Sequence, residues 1–176
     1  MLDKKRIDEA KRNINAYLRE GKVIKISFKD NSIKKILVDN SDESLRVAEL
    51  LNKGDNSNLW TIVCSYYAMY YISKAVLYEI GYKIGEEISH KVTADALIVY
   101  VTDKLKKSLM EEYEEAKEEA LELSGNKASE LLDDYDREKN KRSRFQYSLT
   151  ETALKGKANT SLERAKKFIL EMKKIL

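Results

Sequence analysis

The apolar positions of the first segment, Ile7, Ala10, Ile14, Tyr17 and Leu18, recur every three or four residues apart from the closing pair. That is the stripe of an amphipathic helix. It predicts a helix from about Leu2 to Glu20, ended by Gly21, because glycine readily takes the left-handed conformation found just past helix ends. In the next stretch, "KVIKISFKDNSIKKILVD", the pattern shortens. Val23, Ile24, Ile26 and Phe28 partly alternate, "KDNS" offers a turn, and Ile33, Ile36 and Val38 follow. The alternation predicts a small β-hairpin, which needs packing support because two strands alone are marginally stable.

Helical spacing then returns. Asn40 and Ser41 are placed to cap a short helix through "DESLRVAELL", "NKGDNS" reads as a loop, and Ser57 caps a central helix over about 58–81. "GYKIGEE" breaks that helix with two glycines. Ser89 is placed to cap the next, whose Val92, Ala96, Leu97, Val99, Tyr100, Val101, Leu105 and Leu109 form a broad apolar face. Acidic "MEEYEEAKEEALEL" continues it to "SGN", where Gly125 suits a helix end and Asn126 a new start. Two further helices are expected, one ending near Gly156 and one over "TSLERAKKFILEMKKIL", with Thr160 and Glu163 spaced as a capping box. The pattern therefore predicts an all-α fold, an antiparallel up-and-down bundle of about five to six helices. Residues 1–55 would form an N-terminal helix and extended element packed on a bundle of 56–176, one compact domain overall.

Composition supports helix: the 176 residues include no proline and only six glycines. The single cysteine, Cys64, cannot form an intramolecular disulfide and lies in an apolar run, which points to a buried small hydrophobe in a reducing cytoplasm. The charged N-terminus lacks the apolar core of a signal peptide. Residues 56–73 are an uncharged run of 18, which touches the lower length of a membrane span. Its two Asn, three Ser, one Thr and four Tyr favour a buried core helix and no membrane contact. Abundant Lys and Glu beside one Gln and one Cys resemble thermophilic composition.

The centre of that run is "SYYAMYY", Ser65 to Tyr71. On a helix Tyr67, Tyr70 and Tyr71 share a face, with Trp60 and Val63 before them and Tyr78 beyond, while Tyr66 sits about 100° round. This face is expected to be core, and Tyr67→Ala to cost about 3 kcal/mol.

The net charge of +3 is too small to argue for nucleic acid, but it is unevenly spread. Glu111 to Asp136 hold 11 acids and 2 bases, a net of −9, and Arg137 to Leu176 hold 12 bases and 4 acids, a net of +8. On a helix Arg137, Lys141 and Arg144 share a face, with Arg142 about 100° from Lys141. Such cations suit phosphate oxygens. The same charges also suit a solvated face paired with the acidic helix of this chain or of a neighbour.

His90 is the one histidine, and with one distant cysteine it makes a poor start for a metal site. No phosphate-cradling glycine loop and no nucleophile elbow is present. Neither a metal nor another cofactor is expected. Placed after Ser89 at the positive end of a helix, His90 is expected to be neutral, and no second histidine completes an acid–base pair.

Four stretches in order, however, carry a resemblance. "SYYAMY" followed by "KAVLYEIG" lies within residues 59–82; "SHKVTADAL" follows; then comes "LLDDYDREKNKRSRFQYSL", with Arg142 five residues before Tyr147; and "SLERAKKFILEMKKIL" closes the chain. Together they resemble the HEPN domain over about 56–176, two thirds of the chain. The resemblance implies an antiparallel helical bundle, commonly a homodimer. It also implies binding of nucleotide or RNA phosphate, carried here by Arg137, Lys141, Arg142, Arg144 and Tyr147, and a minimal nucleotidyltransferase partner as in toxin–antitoxin pairs. Some members are metal-independent ribonucleases with an Arg-x(4 to 6)-His motif. In that window after Arg137 stand Arg142, Ser143 and Arg144, and after Arg142 stand Tyr147, Ser148 and Leu149, so neither arginine meets a histidine. A non-catalytic binding protein is therefore expected. One alternative is a ribonuclease in which Arg142 holds phosphate and Tyr147 or His90 moves the proton. Another is a structural adaptor that binds protein through its acidic and basic faces.

Overall fold

The computed structural model describes residues 2–137 and 147–176, with side chains over 2–125 and 154–176. Helix α1 (Lys4–Arg19) begins at Asp3, whose carboxylate accepts from the Arg6 N–H at 2.8 Å, and it buries Ala10, Ile14 and Tyr17. Gly21 follows with φ at 72°, which glycine adopts without strain. Strand β1 (Val23–Lys25) leads to α2 (Asn31–Lys53), capped by Asp30 through the Ser32 N–H at 2.8 Å. Ser57 caps α3 (Asn58–Glu79) by accepting from the Trp60 N–H at 3.3 Å. Strand β2 (Tyr82–Ile84), α4 (Ser89–Tyr100), a 3-10 turn at Thr102–Lys104, α5 (Lys107–Arg137) and α6 (Tyr147–Lys173) complete the order. The architecture is an all-α helical bundle with a small two-stranded antiparallel sheet.

Helix α3 is the axis of the core. Residues on all its sides are buried, among them Ile62, Tyr66, Met69, Ile72, Val76 and Leu77, and α2, α4, α5 and α6 pack around it. Burial on most sides is what a helix uncharged from Asn58 to Ser73 requires. Where α2 crosses α3 the contact is close: buried Ser41 donates its Oγ–H to the Ala68 carbonyl at 2.7 Å.

Several joints differ from the sequence expectation. The partner of β1 is β2, in the register Val23↔Ile84, Ile24↔Lys83 and Lys25↔Tyr82, while Ile33, Ile36 and Val38 belong to α2. Ile33, Leu37 and Ser41 lie at i, i+4 and i+8 on the inward side of that helix, so a 3.6-residue period outweighs the apparent alternation. Asn40 and Ser41 are interior residues of α2, and no short helix starts there. The apolar helix expected from Ser89 past Leu109 stops at Tyr100, because Val101 adopts φ −122° and the 3-10 turn intervenes. Neighbouring β-branched Val99, Val101 and Thr102 lower helix propensity there. Gly125 and Gly156 lie inside α5 and α6, and Thr160 donates back to the Gly156 carbonyl at 2.9 Å instead of capping a new helix. A mid-helix glycine costs about 1 kcal/mol. Burial of Ala116 and Ala120 on α5, and of Ala158, Leu162, Phe168 and Met172 on α6, outweighs it.

Candidate functional site: a histidine set in a tyrosine cluster

Within α3 the four tyrosines divide by depth. Tyr66 and Tyr70 are buried, at 1% and 5% exposure, whereas Tyr67 and Tyr71 are half-buried. Fully buried Tyr113 of α5 packs on Tyr66 with ring centroids 6.0 Å apart. Into this cluster α4 delivers His90. Its ring lies 4.5 Å from Tyr70, 5.6 Å from Tyr66 and 5.7 Å from Tyr67 between centroids. The Tyr66 hydroxyl stands 2.7 Å from His90 Nδ1.

The chain reaches this position through a strained residue. Ile88 holds φ 42° and ψ 33° in place of a side-chain cap on α4, a conformation costly for a β-branched residue. Ser89, expected to cap α4, places its hydroxyl beside the Tyr70 phenol together with Thr93. Two lysines border the cluster. Lys74, one turn after Tyr70, holds Nζ 5.4 Å from that ring's centroid, and Lys117 lies one turn beyond Tyr113 on α5. Neither forms an ion pair within 4.0 Å among the described residues.

Burial, and then Tyr113, hold the Tyr66 phenol far above its ordinary value, so it keeps its proton at any physiological pH. When the neutral imidazole carries its proton on Nε2, this phenol donates to His90 Nδ1. Burial, then the charges of Lys74 and Lys117, push His90 below its ordinary 6.5. A histidine with a depressed folded value binds fewer protons folded than unfolded, so stability drops as pH falls through about 6.5, the unfolded value, toward the folded one. Urea titrations at pH 7.5 and pH 5.5 are expected to show this loss, and His90→Gln to reduce it; an undiminished loss in the variant would place the effect elsewhere.

A second polar centre lies between α1 and α4. Asp95, with no exposed surface, takes Arg6 Nη2 at 2.6 Å, Asn13 Nδ2 at 2.9 Å and the Tyr17 hydroxyl at 3.4 Å. Arg6 also grips Glu114 of α5 at 2.7 and 2.9 Å. Burial and the Asp95 charge push Tyr17 up to about 12. The network joins three helices, with Asp95 wholly buried at its centre.

The acidic and basic halves meet inside the chain. Lys167 reaches Glu112 at 2.9 Å, Arg164 reaches Glu115 at 2.8 Å and Lys157 reaches Glu119 at 3.4 Å across α5 and α6. Charges that an adaptor would offer to a protein partner are thus in part answered internally. Cys64 is half-buried, and burial pushes its thiol up, away from reactivity.

Of the residues expected to hold phosphate, Arg137 ends α5 and Tyr147 begins α6, and their side chains lie outside the described residues. Lys141, Arg142 and Arg144 lie outside them entirely. His90 is placed with the tyrosines. Lys74 and Lys117 were missed by sequence reasoning, although Lys74 stands at i+4 from Tyr70 and i+7 from Tyr67, on the face already singled out. Among the described residues no cluster of His, Cys, Asp or Glu could hold a metal ion, and no helix is long and apolar enough to cross a membrane. Comparison with family models, with curated proteins and with solved structures finds no match to this chain.

Proposed function

We propose that the protein binds nucleotide or RNA phosphate without cleaving it, at the mouth of the His90 cluster. One observation carries this reading: half-buried Tyr67 packs on His90, half-buried Tyr71 packs on Tyr67, and the charges of Lys74 and Lys117 act on the imidazole while neither lysine forms an ion pair among the described residues. Half-exposed aromatics offer stacking surfaces to bases, and unpaired cations attract the backbone between them. The HEPN resemblance supports the same reading and extends it to Arg137, Lys141, Arg142, Arg144 and Tyr147 as further phosphate contacts. It also extends it to a homodimer and to a minimal nucleotidyltransferase partner. Binding without cleavage follows from the poverty of acid–base groups. His90 Nδ1 is engaged by Tyr66, and burial holds the phenols of Tyr66 and Tyr113 far above the neutral range.

Fluorescence anisotropy of a labelled single-stranded RNA tests the site. Binding is expected at low salt and is expected to weaken steeply as salt rises. Lys74→Met with Lys117→Met is expected to weaken it about tenfold, and Tyr67→Leu by about fivefold or more through lost stacking. Undiminished binding by the lysine pair would remove this surface from the reading. Loss on Arg142→Ala with Arg144→Ala instead would move the binding surface to that segment.

A further inference from the structure

The surroundings of His90 are built to change charge without rebuilding. From α3 it is faced by Tyr66, Tyr67, Tyr70 and Lys74, and from α5 by Lys117, with Tyr113 behind Tyr66. Among the described residues no carboxylate hydrogen-bonds or pairs with its ring; Glu86 acts through its charge on Lys74. The imidazole is thus a potential cation under the repulsion of two cations, which an incoming anion offsets.

The hydroxyls behind it fit either state. With His90 neutral and its proton on Nε2, Tyr66 donates to Nδ1. With His90 protonated, Nδ1–H donates to the Tyr66 oxygen, and the Tyr66 proton must turn elsewhere. Tyr113 supplies the place: its hydroxyl is fully buried, makes no well-aligned hydrogen bond, and lies beside the Tyr66 and Ser73 hydroxyls. A buried phenol without a bond is costly, because its desolvation is not offset. An acceptor left open next to Tyr66 is what proton uptake at His90 requires, since hydroxyl rotation alone completes the change.

We infer that the phosphate group of the ligand and a proton enter this site together, the proton residing on His90 Nδ1 and the anion being held by Lys74, Lys117 and the imidazolium. The inference rests on the phosphate-binding reading of the same site. No covalent step is involved: the proton comes from solvent on binding and returns to it on release. The affinity is then linked to pH, rising by up to about tenfold per pH unit across the interval between the free and bound values of His90.

Oligouridylate is the ligand to use, because its diesters and bases do not themselves titrate in the range where histidine does. Because the chain has one histidine, its imidazole resonances report on His90 without ambiguity. The expected results are a free-protein midpoint below 6.5, an upward move on adding oligouridylate, and affinity that strengthens from pH 7.5 to pH 5.5. Calorimetry in buffers of different ionisation enthalpy should find uptake approaching one proton. His90→Gln should flatten the pH profile, and Lys74→Met with Lys117→Met should raise the free-protein midpoint. Oligouridylate bound with the same affinity at both pH values and with no change at His90 would overturn the inference while leaving the binding reading in place. Absence of binding at low salt and both pH values would overturn both.

Discussion

Replacement of Tyr66 by alanine is expected to lower the free energy of unfolding by about 4 kcal/mol, and the same replacement at Tyr67 by about 1 kcal/mol. The two residues are neighbours in sequence and identical in chemistry; burial separates them. Tyr66 has 1% of its surface exposed and packs against Tyr67, Tyr70, His90 and Tyr113. Its loss leaves a ring-sized void and removes the hydrogen-bond partner of His90 Nδ1. Tyr67 is half-buried, and water fills part of the space its ring vacates. Tyr66→Phe isolates the hydroxyl and should cost about 1–2 kcal/mol, the penalty for leaving a buried acceptor unpaired. Urea unfolding of the three variants at pH 7.5 decides the order. A Tyr67→Ala loss equal to that of Tyr66→Ala would mean that the depth assigned to these rings is reversed.

That inversion shows where sequence reading loses its grip. α1 is legible because one face is apolar and the other charged, so period and burial agree. α3 is legible as a buried helix because it carries no charge from Asn58 to Ser73. The same property hides its orientation: with apolar residues all round, the 3.6 period no longer singles out an inward face, and Tyr67 rather than Tyr66 is taken for core. Ser41, Ser89 and Thr160 mislead for a common reason. A small hydroxyl before a helical run suits a cap, but these three bond or adjoin the Ala68 carbonyl, the Tyr70 phenol and the Gly156 carbonyl. The pairing of β1 with β2 depends on contact between residues about sixty apart, which local turn chemistry does not encode. At the candidate site His90 stands out by being alone, whereas Lys74 and Lys117 look like any of the chain's 33 basic residues until α3 and α5 bring them to one ring.

The second large effect is expected at the other polar centre. Arg6→Met should destabilise the protein by about 3 kcal/mol, because it leaves the Asp95 carboxylate buried without its cation. Asp95 retains Asn13 at 2.9 Å and Tyr17 at 3.4 Å, neither of which carries the charge that offsets its desolvation. A buried ion pair is weak evidence of net stabilisation, since removing both charges together is often nearly neutral. The double variant Arg6→Met, Asp95→Asn is therefore expected to be more stable than Arg6→Met alone, by about 1–2 kcal/mol. The amide that replaces the Asp95 carboxylate still accepts from Asn13, and the unpaired charge is gone. Glu114 loses its Arg6 partner in both variants, so its contribution cancels in the comparison. Chemical denaturation of the wild type, the two single variants and the double variant closes the cycle. If the double variant loses the sum of the two single losses, Arg6 and Asp95 act independently, and the junction of α1 with α4 and α5 owes its strength to apolar packing through Ala10 and Ile14. If the coupling appears, the fixed position of α4, and with it the placement of His90 one helical stretch away from Asp95, depends on this clamp.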